Sequence, residues 1–226
     1  IAGVLFGRNS DGSALIVWVV FQEGSIPQAK VFAVNIESNT EKLSTAEIEL
    51  PETMKNVSFN NIFINDNFEV IGGVIGTNLW FINNVSVAIP SDGNWDIDAA
   101  KGMFFIENLE TDSLSLASVD APSEPLFQMA TNKRKFQLIY CIEDKIYLLG
   151  SQPLHSSNST QDGVCLVLVR AGDGAIKLFE EITVPRPKGA KGGYFNPLAM
   201  DPMAHGIVFL NRSESALTFG DLPMPG

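Results

Sequence analysis

Cysteine is almost missing from this chain: Cys141 and Cys165 are the only two among 226 residues. No disulfide framework can therefore carry the fold, which must rest on an apolar core. Histidine is as scarce, with His155 in a polar loop and His205 in a turn, and two Cys and two His so widely separated make no zinc signature. Positive charge is also short. Fifteen Lys and Arg stand against 26 Asp and Glu, a formal charge of −11, so nucleic acid and anionic membrane surfaces are repelled as partners. No stretch approaches the roughly 20 apolar residues that cross a bilayer, so membrane insertion by a helix is not expected. The opening Ile1 to Asn9 lacks the charged start and long apolar centre of a signal peptide; because Ile1 to Gly7 already reads as strand, the chain is expected to be a processed or trimmed piece of something longer. Helical periodicity is nearly absent throughout.

What is present is apolar residues, 45% of the total, broken into short runs bounded by Gly, Asn, Asp, Ser and Pro. This predicts an all-β fold. Leu15 to Phe21 and Val164 to Val169 are apolar at successive positions, as strands covered on both faces must be. Ser113 to Val119 alternates, as a half-buried strand does. The runs ending at Phe21, Gly73, Ile106, Gly150 and Leu210 recur at intervals averaging about 47 residues, the spacing of four-stranded propeller blades. Trp95 to Gly102 and Leu198 to Gly206 each place a strand and a short turn ahead of such a run. The expectation is a single domain over 1–226, a β-propeller of about four to five blades standing alone or within a larger ring, with a β-sandwich as the alternative. Leu15 to Phe21 is expected to be the inner strand of a blade, with Lys30 to Ile36 and Leu43 to Leu50 outside it, joined by a turn at Ser38-Asn39-Thr40; residues 164–185 are its counterpart.

The order of apolar run, Gly, loop, strand, Asx or Gly turn and strand, clearest in Phe68 to Gly73 and Lys145 to Gly150, resembles the kelch type of β-propeller repeat. The resemblance implies a propeller. Glu41 and Ile176 stand where kelch repeats carry a Trp after the turn, so it does not extend to a kelch function.

In a propeller Cys141 falls on an inner strand and Cys165 on the third, about 9 to 10 Å apart at two strand spacings, too far for a disulfide. In a sandwich the pair could close. The candidate ligand-binding residues are Asp92, Trp95, Asp96 and Asp98, acids around an aromatic platform that could hold a sugar or a calcium ion, together with His205. A turn with solvated acids is the competing interpretation of that cluster. No nucleophile elbow, phosphate loop or cofactor signature is present, so no catalytic residue, metal or cofactor is expected. Lys133-Arg134-Lys135 and the Pro- and Gly-rich segment 185–194 are basic loops able to meet an anion or a partner, or simply to connect blades. Four Asn-x-Ser/Thr sequons, at Asn56, Asn84, Asn158 and Asn211, fall beside turns and point to a glycoprotein that is secreted or on the outer cell surface. The functional expectation is an extracellular recognition module binding a protein or a glycan through blade loops. Its alternatives are a structural subunit whose terminal strands, Ile1 to Gly7 and Leu217 to Leu222, another chain caps, and a propeller hydrolase with a pair of channel acids.

Overall fold

The structure is a computed structural model that describes residues 3–8, 14–23, 26–35, 40–42, 61–65, 70–153, 161–187, 195–211 and 216–223. Among these there is no helix. The chain is all-β, and the described strands pair antiparallel with their sequence neighbours in five sheets, which is how propeller blades are wound. It divides into two compact units, Ile1–Ala88 with Ala99–Gly102, and Ile89–Asp98 with Met103–Gly226.

The first unit holds two four-stranded sheets. One is β1 (Gly3–Arg8), β2 (Ala14–Glu23), β3 (Ile26–Asn35) and β4 (Thr40–Lys42), in that order. Leu15 to Phe21 thus lies in β2, the second strand and not the innermost of the blade. A strand apolar at every position belongs in the middle of a sheet, paired on both edges, and β1 occupies the position before it. The expected strand Leu43 to Leu50 and most of the turn before it lie outside the described residues, whereas Thr40 to Lys42 already pairs with Ala33 to Asn35. The other sheet is β5 (Asn61–Ile64), β6 (Val70–Ile75), β7 (Asn78–Phe81) and β8 (Ser86–Ala88). Its β6–β7 hairpin closes through Gly76-Thr77, with Gly76 at φ 60, a backbone that glycine adopts without penalty. Leu79 and Phe81 of β7 are wholly buried and alternate with the half-exposed Asn78 and Trp80, the alternation of a strand with one inward face.

The second unit holds three sheets: β9 (Gly93–Asp98), β10 (Met103–Asn108), β11 (Ser113–Ser118) and β12 (Phe127–Ala130); β13 (Lys135–Ile142), β14 (Lys145–Ser151), β15 (Gly163–Arg170) and β16 (Ile176–Val184); and β17 (Pro197–Asp201), β18 (Gly206–Asn211) and β19 (Ala216–Asp221). The opening strands β9, β13 and β17 lie beside one another, so each sheet presents its first strand to the next, as blades do around an axis. The runs ending at Phe21, Gly73, Ile106, Gly150 and Leu210 all fall in second strands, β2, β6, β10, β14 and β18.

Period-2 alternation divides the core. Ile146, Leu148, Val164, Leu166 and Leu168 face the sheet β9–β12, where Phe105, Leu114 and Leu116 meet them. Tyr147, Leu149, Cys165 and Val167 point the other way, onto Phe195, Met200, Ile207 and Phe209. A bulge between Phe136 and Leu138 shifts the count by one in β13, which lets Phe136 and Ile139, three apart, share a face. The cysteines obey the same rule: Cys141 joins the first cluster and Cys165 the second. They sit on the first and third strands of one sheet, on opposite faces, and neither is in a disulfide.

Candidate functional site

The acids singled out in the sequence cluster on β9, and pleating decides what each one meets. Asp96 and Asp98, two residues apart, share a face, and Trp95 and Ile97 take the other. Asp96 and Asp98 point at the edge of β13. Asp96 Oδ2 accepts from the Ile139 N–H at 2.9 Å, and Asp98 Oδ2 accepts from the Cys141 N–H at 2.7 Å. First strands of adjacent blades do not pair main chain to main chain here. The two carboxylates stand in for the missing carbonyls, two rungs matched to two N–H groups with the same two-residue spacing.

Burial opposes the charge that makes Asp96 a good acceptor. Desolvation lifts its pKa to about 7, against the pull of the Ile139 and Ile97 amides, and Asp98 adds like-charge repulsion. A carboxyl so placed exchanges its proton near neutrality, the range in which general acids work.

A third carboxylate of the same junction escaped the sequence reading. Glu107, at the end of β10, is wholly buried. Its Oε2 accepts from Asn94 Nδ2 at 2.8 Å and its Oε1 from the Phe136 N–H at 3.2 Å. Burial raises its pKa, while those hydrogen bonds and the Lys135 charge lower it. One signal was available: Glu107 is a lone charge closing the apolar run Met103 to Ile106. The next junction repeats the device with an uncharged side chain, as Gln161 Oε1 accepts from the Phe195 N–H at 3.1 Å and Gln161 Nε2 donates to the Gln152 carbonyl. Phe136 and Phe195 are both buried, and each brings its N–H to a polar group of the preceding blade.

The other candidates are dispersed. Asp92 is exposed in the turn before β9, where its carbonyl accepts from Leu109 N–H at 3.0 Å. His205 is exposed at φ 52 in the turn between β17 and β18, in a different sheet, and its carbonyl accepts from the Leu222 N–H at 2.8 Å. The structure therefore brings Asp96 and Asp98 onto one strand edge, with Trp95 on the opposite face of β9, and places Asp92 in the turn before that strand and His205 in another sheet. Among the described residues no group of three or more His, Cys, Asp or Glu is placed to hold a metal ion.

The basic stretch Lys133 to Lys135 crosses from the outer strand β12 to the inner strand β13. Asn132 and Lys133 are both left-handed, at φ 55 and 63, and the Arg134 N–H returns to the Thr131 carbonyl at 3.2 Å, a type I′ turn. Asp112 pins it, accepting from the Lys133 N–H at 2.8 Å and from the Thr131 hydroxyl, and those hydrogen bonds lower its pKa. Arg134 forks onto Glu181 at 2.7 and 2.9 Å. The arginine of this segment is thus engaged within the protein. His155, Asn56, Asn158 and the greater part of segment 185–194 lie outside the described residues.

No family model and no curated protein matches this chain. Solved structures that resemble it include Kuenenia stuttgartiensis hydrazine synthase, at 12% identity over 96% of this chain and 76% of that one with a TM-score of 0.43, and the Pseudomonas aeruginosa periplasmic gluconolactonase, at 8% identity over 96% and 73% with a TM-score of 0.40. Superpositions this loose leave the assignment of the fold to the strands themselves.

Proposed function

We propose that this chain is an extracellular recognition module, binding a protein or a glycan through the loops at one end of its blades. The observation that carries the reading is the employment of the inner acids. Asp96, Asp98 and Glu107 each accept from a backbone N–H of the neighbouring blade, so the carboxylates best placed for chemistry serve the junction instead. Strand-connecting loops then supply the variable surface. Asp92 and His205, both exposed, are the side chains offered for contact, beside the half-buried Trp95. A distant kelch-type origin is consistent with the double glycine of β6, where a Cβ on Gly72 would collide with the Trp80 carbonyl. A role as a structural subunit would instead engage β19, the last strand of its sheet.

One observation favours a hydrolase as the second reading: Asp96, lifted to about 7, sits beside Asp98 on an inner strand. Screening the purified chain on a glycan array, and against lactone, ester and glycoside substrates, separates the two. Recognition expects glycan binding that Asp92→Ala and Trp95→Ala weaken while the circular dichroism spectrum is kept. Substrate turnover that Asp96→Asn abolishes would overturn it in favour of the hydrolase.

A further inference from the structure

We infer that Asn84 is the acceptor of an N-linked glycan, and that this glycan covers the tip and outer edge of the sheet β5–β8. The β7–β8 hairpin makes the site. The Phe81 N–H donates to the Val85 carbonyl and the Asn84 N–H to the Phe81 carbonyl, each at 3.0 Å, and Asn83 Oδ1 accepts from the Val85 N–H at 3.3 Å. Asn84 occupies the left-handed region at φ 62, which asparagine tolerates better than most residues. The side chain of Asn84 is exposed at the tip of this turn, and so is that of Ser86, the hydroxyl that completes the sequon Asn84-Val85-Ser86. Asn211 is placed differently. It is the last residue of β18, the middle strand of its sheet, paired with Ala216.

A second feature of the same tip gives the glycan a purpose. Ile82 is 47% exposed in this turn, and β8 is the last strand in the order β5-β6-β7-β8. An exposed isoleucine beside a strand edge that no other described strand pairs invites edge-to-edge association. A bulky, solubilising oligosaccharide on Asn84 would stand over both.

The chemistry is a group transfer without oxidation or reduction. Asn84 Nδ2 bonds to the anomeric carbon of an oligosaccharide carried on a lipid pyrophosphate. The pyrophosphate leaves with the electron pair of the broken carbon–oxygen bond, and the amide nitrogen gives up one proton. The inference rests on the extracellular reading above, yet the two fail separately, because occupancy is read by mass and recognition by binding.

The test is to secrete the chain from a eukaryotic host behind a cleavable leader and to map its peptides by mass spectrometry before and after a glycan-cleaving amidase. The expected result is a glycan on the Asn84 peptide that the amidase removes, leaving aspartate, and that is lost in both Asn84→Asp and Ser86→Ala. Ser86→Ala keeps the left-handed asparagine and its turn, so loss of the glycan there is not loss of the fold. That variant is expected to lose soluble protein on concentration, and the added change Ile82→Ser to recover it. An unmodified Asn84 in secreted, folded protein overturns the acceptor claim. Unchanged solubility of the Ser86→Ala variant overturns the shielding claim.

Discussion

Sheets β13–β16 and β17–β19 are neighbours in one unit and similarly rich in apolar residues, but their surroundings differ. In β13–β16 both faces of the middle strands β14 and β15 are covered: Leu148 and Leu166 are buried on one side, Leu149 and Cys165 on the other, while Phe179 on the outer strand β16 stays exposed. In β17–β19 one face is covered, by the packing of Phe195, Met200, Ile207 and Phe209. The other carries the row Ala199, Val208 and Phe219 across the three strands, with Phe219 73% and Leu217 56% exposed. Apolar content thus reports what a strand is able to bury, and the neighbouring sheet decides what it does bury.

The largest expected break in that comparison is Leu166→Ala. Leu166 is wholly buried, so truncation costs about 2 to 5 kcal/mol, transfer and cavity together. Leu217→Ala on the exposed face costs within about 0.5 kcal/mol. Urea unfolding of the two variants side by side checks the contrast, and equal losses would mean that Leu217 is packed.

Gly163→Ala probes the junction between the two sheets. A Cβ on Gly163 would enter the Phe195 ring, and overpacking there is expected to cost about 1 to 3 kcal/mol. The double variant with Phe195→Leu should recover part of the loss, a coupling that a double-mutant cycle measures.

The junction between β9 and β13 responds to pH. Asp96 has a folded pKa of about 7 against 3.8 for the free side chain, so between these values the folded protein holds the proton more tightly than the unfolded one. Its stabilising share is complete below about 4 and is lost as the pH rises through 7, with a slope of at most about 1.4 kcal/mol per pH unit. Glu107, also raised, adds to the same trend. Asp96→Asn should remove the Asp96 part of this slope. An unchanged profile of unfolding free energy between pH 4 and 7 would show that Asp96 ionises as freely as in water.

The smallest effects are expected from groups that each lie within one sheet or at its rim. Burial pushes the Cys165 thiol up to about 12, and Cys141 is buried on the opposite face, so both should resist thiol reagents until the chain unfolds. Prompt labelling of either in native buffer would contradict the packing given to its sheet face. Arg134→Ala removes a partly exposed ion pair to Glu181 and should cost about 0.2 to 1 kcal/mol, less still in high salt.

Residue pattern alone made much of this architecture legible. The five equivalent runs were found because each falls on a second strand, with a neighbour on each edge, where apolar residues are favoured at successive positions. Cys141 and Cys165 were placed on first and third strands by the same counting. Other elements gave weaker signals. Asn61 to Ile64 and Phe127 to Ala130 are four-residue strands, too short to show a period, and the bulge at Phe136 breaks the alternation that a count along β13 relies on.

The candidate site divides in the same way. That Asp96 and Asp98 share a face follows from their spacing, because side chains alternate along any strand. That this face meets the Ile139 and Cys141 amides, or that Glu107 reaches the Phe136 amide 29 residues away, depends on which strand edge lies opposite, and no local rule carries that information. Composition and periodicity determined an all-β chain wound into blades, since the order of apolar and polar residues fixes which faces must be hidden. Only the tertiary structure decided which faces are hidden against which, and turned three acids into acceptors for a neighbouring strand, because burial and the position of unpaired N–H groups are properties of the assembled sheets.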